Sequence, residues 1–545
     1  MVTFADLQDA DLKPLIAAAG TWEQFAGKQR KLEDRVKNDL AGPLRKAGWQ
    51  GDAADAAIGR MTSLHDEFEV YAMKTRQLAM VLREAADEFQ RCQLNLRAAV
   101  DAAVGLGLHV SADGQVAASY VPLSALSDQG ALDAQRLAVQ NAEIYSDLIK
   151  SILREAEHTD LTFRDLLRKL APDAQGIGEF GWQHNTDAAR EVAAQLGLSA
   201  ASIPPDGKDP GQAAAWWKGL TADQRELMLA AYPAELGKLD GLPTVDRDHA
   251  NRMALNELIS DDINNYRDLN DSRHQRLVNL LDRLDDAQYQ TGKPPLYLLG
   301  IDNQGIGHAV VAVGNPDTAR NTAVLVPGVS TNLDGFGEQI NRASAIQDAA
   351  QTIDNGDVAV VAWLDYKPPQ LDDTVVTAAA SSRAEDGAAT LNQFTAGLRT
   401  SHDAGPSHMT AIGHSYGSVV VGNAASGGHH LGVDDIVTAG SPGMDVASAG
   451  QLEVGARHVW AGAATDDPVA SPGTAVPYVG RDLQLGMAIA HDMEPHQPGF
   501  GGNVYHIDTQ GHSGYWTPGS QSLQNQARVV AGMYGDTTLD YGKAP

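Results

Sequence analysis

Residues 409–424 read Met409-Thr410-Ala411-Ile412-Gly413-His414-Ser415-Tyr416-Gly417-Ser418-Val419-Val420-Val421-Gly422-Asn423-Ala424. An apolar run of strand character passes through Gly-x-Ser-x-Gly and continues as a small-residue segment of helical character. A strand that turns at once into a helix holds the residue at its apex in a strained conformation, and Gly413 and Gly417 stand where side chains would collide. Ser415, presented at that apex, is the candidate nucleophile. With 54 glycines in 545 residues, chance alone supplies about 0.3 such matches. The strand before and the helix after are the context that the pattern requires.

Around this elbow, from Lys293-Pro294-Pro295 onward, short apolar runs bounded by turns recur: Leu296 to Gly300, Ala309 to Val313, Ala323 to Val326, Val358 to Trp363, Met409 to Ile412, Ile436 to Ala439, His458 to Ala461 and Val504 to Ile507. Helical stretches intervene, including Gly337 to Ile353 and Ala384 to Arg399. Strands alternating with helices predict a mostly parallel sheet covered on both faces. Eight strands with only the leading pair antiparallel is the α/β-hydrolase arrangement, expected over residues 291–545.

A serine hydroxyl is a poor nucleophile until a histidine removes its proton and an acid orients that histidine. In this arrangement the chain order is Ser, then Asp or Glu, then His. His429 and His430 follow the elbow helix and read as solvent-exposed, and His506 reads as a strand residue facing a neighbouring helix. His512, in Gln510-Gly511-His512-Ser513-Gly514-Tyr515-Trp516, lies in a loop after the final apolar run and is the expected base. The acid is expected after the run ending at Ala461, where Thr465-Asp466-Asp467-Pro468-Val469 offers two adjacent carboxylates. Asp467 is preferred by its Asp-x-Val register, with Asp466 as the alternative. The oxyanion hole needs two backbone donors: the Tyr416 amide after the nucleophile, and the Val329 amide in Val326-Pro327-Gly328-Val329-Ser330-Thr331. The Ser330 and Thr331 side chains either add to it or cap the next helix. Only some sixteen residues separate Ala439 from Ala456, too few for a cap domain. A lid, if present, is expected either from the longer Gly- and Pro-rich insertion, Pro468 to Gly502, or from the helical N-terminal half.

The N-terminal half differs in texture. Leu32, Val36, Leu40 and Leu44, then Leu64, Phe68, Tyr71, Leu78, Val81 and Leu82, recur at helical spacing. Gly48-Trp49-Gln50-Gly51-Asp52 between them predicts a reversal, hence a helical hairpin over 1–105 with Trp49 packing its end. A further helical region and linker is expected over 106–290, with Thr221 capping the helix that starts at Ala222.

The chain carries 70 acidic against 41 basic residues, a formal charge of -29, which disfavours nucleic acid and anionic lipid as partners. No apolar run reaches the length of a membrane span. The N-terminus lacks the basic-then-apolar pattern of a cleaved signal. The single cysteine, Cys92, excludes an intramolecular disulfide and reads as buried filler. No metal or other cofactor is expected, since Glu494, His491 and His496 have only loop context.

Four segments, Val326-Pro327-Gly328, Trp363-Leu364-Asp365-Tyr366, Gly413-His414-Ser415-Tyr416-Gly417-Ser418 and Gly511-His512-Ser513-Gly514-Tyr515-Trp516, together resemble a group of actinobacterial α/β-hydrolases catalogued as a domain of unknown function. Trp216-Trp217 through Arg247-Asp248-His249-Ala250-Asn251-Arg252 resembles what precedes that domain, so the likeness spans about residues 210 to 545. It implies a serine esterase or lipase-like enzyme acting on a small-molecule or lipid ester. Trp-x-Gly at the hairpin turn resembles the small WXG-type proteins of type VII secretion. That likeness implies a helical partner for the hairpin, and a protein either cytoplasmic or exported without a cleaved signal. The alternative expectation is therefore a secretion-associated interaction protein with the hydrolase fold as payload or relic.

Overall fold

The computed structural model describes residues 2–46, 49, 51–119, 129–170, 181–205, 207, 209–264, 271–289, 292–354, 356–370, 382–403, 405, 407–470, 492–542 and 545. The chain divides into two compact units, Met1–Ser199 and Ala200–Pro545. The division falls inside the expected 106–290 segment: its first long helix groups with the N-terminal hairpin and its later helices with the sheet.

The first unit is helical. Thr3 and Asp6 cap the helix Phe4–Asp9 reciprocally, and Pro14 starts Lys13–Arg35. A π-helical turn, Val36–Ala41, and the helix Gly42–Lys46 lead to the reversal, after which one helix runs unbroken from Asp52 to Gly105. Arg83 meets Glu23 at 2.6 Å and His65 meets Glu33 at 4.0 Å, a pairing that fixes the two long helices as antiparallel. Trp49, expected to pack the end of this hairpin, is instead 46% exposed, and Gly48 and Gln50 lie outside the described residues. A ribbon of β1 (Leu108–Val110) and β2 (Val116–Ala118) precedes the helix Gln129–Leu170. Ile149, Ile152, Ala156, Phe163 and Leu166 give that helix its buried stripe. Cys92 is buried beside Leu96, Ala99 and Ile149.

The second unit is built on a sheet of β3 (Leu296–Asp302), β4 (His308–Val313), β5 (Asn321–Val326), β6 (Val358–Leu364), β7 (His408–His414), β8 (Asp435–Ala439), β9 (Val459–Gly462), β10 (Asn503–Tyr505) and β11 (Leu539–Tyr541). The spatial order is β11-β10-β9-β8-β7-β5-β6-β4-β3. This sheet has nine strands among the described residues rather than the eight expected. Leu539-Asp540-Tyr541 has no apolar run to announce it and is held by antiparallel pairing to β10. β4 is antiparallel to both β3 and β6, while β5 to β10 are parallel. β10 stops at Tyr505, one residue short of His506, whose Nδ1 lies 3.0 Å from Asp540 of the edge strand.

Every residue of β5, β6, β8 and β9 is buried, as a strand covered on both faces requires. The helices Phe336–Asp354 and Gln521–Val530 contribute Ile340, Ile346, Leu523 and Val530 to the core on one side. Ser382–Ser401 and Gly417–Ala424 contribute Phe394, Leu398 and Val420 to the core on the other.

The helices before the sheet close its far edge. Thr221 caps Ala222–Ala231 through Gln224 as expected. On the helix Thr244–Asn264, Asn251 donates to Leu298 O at 3.0 Å, Arg247 to Leu299 O at 2.6 Å and Arg252 to Leu296 O at 3.1 Å. Asp248 accepts from Leu298 N at 2.6 Å. An edge strand leaves its outward amides and carbonyls unpaired; on β3 the polar face of this helix takes them up.

Candidate active site

β7 runs buried to His414 and the chain turns into the helix Gly417–Ala424, with Ser415 between them at φ 53°. A Cβ on Gly417 would lie 2.1 Å from Val326 O, and one on Gly413 2.5 Å from Ser418 Cα, so both positions exclude any side chain. Ser415 N donates to Ala439 O at 3.1 Å, and Ser418 Oγ lies 2.6 Å from both Ser415 O and Ser441 Oγ. The strained apex is thus tied to β8 and to the loop that follows it.

Ser415 lines a cavity of about 290 Å³ together with Gly328, Val329, Ser330, Gln339, Arg342, His414, His512 and Ser513. His512 reaches it from the loop after β10. Its Nδ1 is 2.9 Å from both oxygens of Asp467, whose side chain is 0% exposed. The Asp467 carboxylate also accepts from Val469 N at 2.9 Å and from the Tyr515 hydroxyl. Burial opposes its ionisation, but the hydrogen bonds from His512 and Tyr515 and the charge of the histidine outweigh burial and hold its pKa at about 2. Asp466 turns the other way: it is exposed, and its Oδ1 accepts from Gly511 N at 2.8 Å, bracing the loop that carries His512. A turn closed by Asp467 N donating to Ala464 O at 3.1 Å separates the two side chains, so that one faces the imidazole while the other supports its loop.

The two expected backbone donors are placed differently. Val329 lines the cavity, in a loop anchored by Tyr366, whose hydroxyl donates to Pro327 O, and by Ser330 N, which donates to Pro369 O at 2.8 Å. Tyr416 begins the helix Gly417–Ala424, and its own side chain is buried in the core. Neither Ser330 nor Thr331 is bonded to the helix start that follows. Asn332 Oδ1 accepts from Gly335 N at 3.1 Å instead, and the buried Ser330 Oγ has no hydrogen-bond partner.

Of the other histidines weighed from sequence, His496 has its pKa lowered by burial and lies near enough to feel the charges of Glu494 and Asp467. His429 and His430 are exposed, and His430 pairs with Glu453 at 2.7 Å. His408 and His458 gather on the buried Asp435, at the opposite ends of β7 and β8 from Ser415. His491 and most of the long insertion (471–491) lie outside the described residues. Among the described residues no group of three or more metal-ligating side chains occurs, and no helix is long and apolar enough to cross a membrane.

Three site residues had no role from sequence alone. Tyr515 joins Asp467 as described and also accepts from Ala464 N at 3.1 Å. His414 is buried under His512, with ring centroids 4.8 Å apart, and its Nε2 donates to His512 O at 2.9 Å. Burial, then the neighbouring His512 and Arg342, push its pKa well below the usual range, so it stays neutral. Arg342 lies over the Trp516 ring at 4.7 Å with Nη1 3.5 Å from His414 Nδ1. Tyr515 stands three residues after the expected base and His414 directly before the expected nucleophile, which is the only signal that marked either.

Residues 302–477 match a family model described as alpha/beta hydrolase. The chain is 32% identical over 392 residues to the uncharacterized protein Rv2079 of Mycobacterium tuberculosis, covering 62% of this chain and 58% of that one. It is 33% identical over 171 residues to the uncharacterized proteins Rv0963c of M. tuberculosis and Mb0988c of Mycobacterium bovis, covering 30% of this chain and 62% of theirs. The chain thus spans less than two thirds of the length of these relatives. Together with the mostly parallel sheet, the matches identify an α/β-hydrolase fold with actinobacterial relatives.

Proposed function

We propose that the unit 200–545 is a serine hydrolase that cleaves carboxylic esters through an acyl-Ser415 intermediate. The observation that carries this reading is the Asp467–His512 pair, which presents an oriented imidazole at the cavity that Ser415 lines at a strained backbone angle. With Nδ1–H donated to Asp467, Nε2 of His512 is the basic nitrogen. It takes the Ser415 proton as Oγ attacks the ester carbonyl, and the Val329 and Tyr416 amides receive the oxyanion. The ester C–O bond then breaks, the leaving alkoxide takes the proton from His512, and a water molecule activated by the same nitrogen releases the acid. Thioesters and peptides would use the same steps, with the cavity deciding among them.

The test is an ester-hydrolysis screen on the full chain with Ser415→Ala, His512→Ala and the double variant. Both single variants should lose nearly all turnover, and the double variant should be scarcely worse than either, because the two groups act as a unit. Additive losses would mean that the two do not work together.

A second reading concerns the helical unit. Phe25 and Leu32, seven residues apart on one helical face, and Trp49 at the reversal are exposed. They favour docking of a partner helix on the WXG-like hairpin, with export by a type VII-like route. Both functions can reside in one chain.

A further inference from the structure

The wall of the Ser415 cavity carries more hydrogen-bonding capacity than its protein neighbours use. Ser330 Oγ and Gln339 Oε1 are buried without a hydrogen-bond partner, Arg342 Nε reaches only Glu338 at a long 3.5 Å, and all three residues line that cavity. Folded proteins satisfy nearly all such atoms, so their gathering on one wall calls for an explanation. A tunnel for a long alkyl chain would present carbon there.

Ser330 is held in place at a backbone cost. Its φ of 63° is one of four positive values among described non-glycine residues, and Ser415 has another. Strain of this kind persists where the surroundings enforce it, commonly at ligand-binding positions, and the Ser330 N bond to Pro369 O enforces it here. Arg342 is equally fixed, with its side chain 11% exposed between Trp516 and His414. Because His414 is neutral, Arg342 is the fixed positive charge beside it. Its counter-ion is Glu338, 3.5 Å from Nε, whose own side chain is 61% exposed and can turn to solvent. A buried guanidinium whose carboxylate partner is exposed and distant is suited to exchanging that partner for an anionic ligand, which it can bind through paired N–H donors.

We propose that this wall is a specificity subsite, and that the ester cleaved at Ser415 carries an anionic oxygen group, such as a carboxylate, a few bonds from its reacting carbonyl. Arg342 and the Ser330 hydroxyl hold that group, while Gln339 Oε1, an acceptor, is left for a hydroxyl or N–H elsewhere on the substrate. The proposal rests on the serine-hydrolase reading and deepens it: the preferred substrates are short and charged.

The test compares matched esters on the full chain. p-Nitrophenyl hemisuccinate against p-nitrophenyl butyrate places the charge on the acyl side, and 4-carboxyphenyl acetate against phenyl acetate places it on the alcohol side. At least one anionic member should be preferred roughly 10-fold or more in kcat/KM, mainly through KM. Arg342→Met should bring that ratio to about 1, and Arg342→Lys should keep part of it. Ser330→Gly also lowers the ratio, and because glycine accepts the positive φ this variant is expected to fold. Equal or faster cleavage of both neutral esters, or an unchanged ratio in Arg342→Met, overturns the subsite while leaving the hydrolase reading intact. Failure to cleave all four esters, with no labelling of Ser415 by a fluorophosphonate, overturns the hydrolase reading and the subsite with it.

Discussion

Asp467 and His512, separated by 45 positions in the chain, meet with Nδ1 at 2.9 Å from both carboxylate oxygens, while Asp466 turns away to hold Gly511 N. The first prediction follows from this division of labour. Asp467→Asn removes the acceptor that selects the imidazole tautomer, and turnover should fall by roughly 10⁴-fold, as for the equivalent change in a serine protease. Asp466→Asn, which only loosens a loop anchor, should cost less than about 10-fold. Rates at saturating substrate for both variants check the assignment, and the reverse ranking would exchange their roles.

The depressed pKa of Asp467 links it to acid stability. A carboxylate whose ordinary value is 3.8 and whose folded value is about 2 favours the folded state above pH 4 by on the order of 2 kcal/mol. The sign is that of a lowered acid: the contribution is complete above the unfolded value and disappears as pH falls through the folded one. Denaturant unfolding of wild type and Asp467→Asn should therefore show a gap that is constant from pH 7 to pH 5 and closes between about pH 4 and pH 2. A gap that persists at pH 2 would place the variant's defect elsewhere.

Tyr515 should behave as a positioning residue. Its hydroxyl donates to Asp467 and accepts from Ala464 N, and a hydrogen bond to a charged group is worth about 1.5–3 kcal/mol. Tyr515→Phe should lower kcat by roughly 10-fold with little change in KM, because it alters the acid and not the cavity wall. An unchanged kcat would reduce the tyrosine to a packing role.

Much of the site was legible because the chemistry constrains order and spacing. Gly413 to Gly417 followed a strand, two carboxylates followed Ala461, and His512 followed the last apolar run, so Ser415, His512 and the pair Asp466 and Asp467 were candidates from order alone, and the structure sets Asp467 against His512. The parallel core was legible for the same reason, since strands buried on both faces read as unbroken apolar runs. β11 left no such trace: three residues, Leu539-Asp540-Tyr541, are strand only because β10 offers an unpaired edge. Arg342, His414 and Tyr515 acquire their roles from neighbours far away in sequence, as in the 72-residue separation of Arg342 from His414. The boundary near residue 199 was equally silent, because helical periodicity runs on both sides of it and only packing shows which helices go with which core.

The polar helix face on β3 yields a stability prediction. Arg247 is buried, 2.7 Å from Asp240 and 2.6 Å from Leu299 O. Arg247→Met leaves Asp240 as a buried carboxylate without its cation and should cost about 3–5 kcal/mol. Urea denaturation followed by tryptophan fluorescence reads this directly, and a loss below about 1 kcal/mol would mean that water replaces the guanidinium freely.

The central claim is that Ser415 is an activated nucleophile, and the most direct measurement is intact-protein mass spectrometry after exposure to a fluorophosphonate at neutral pH. An unactivated serine does not react with such a reagent at an appreciable rate. The account predicts one adduct per chain, mapped by peptide digestion to Ser415, absent from Ser415→Ala and formed far more slowly in His512→Ala. No adduct on the folded wild-type chain, or an adduct that survives Ser415→Ala, would contradict it.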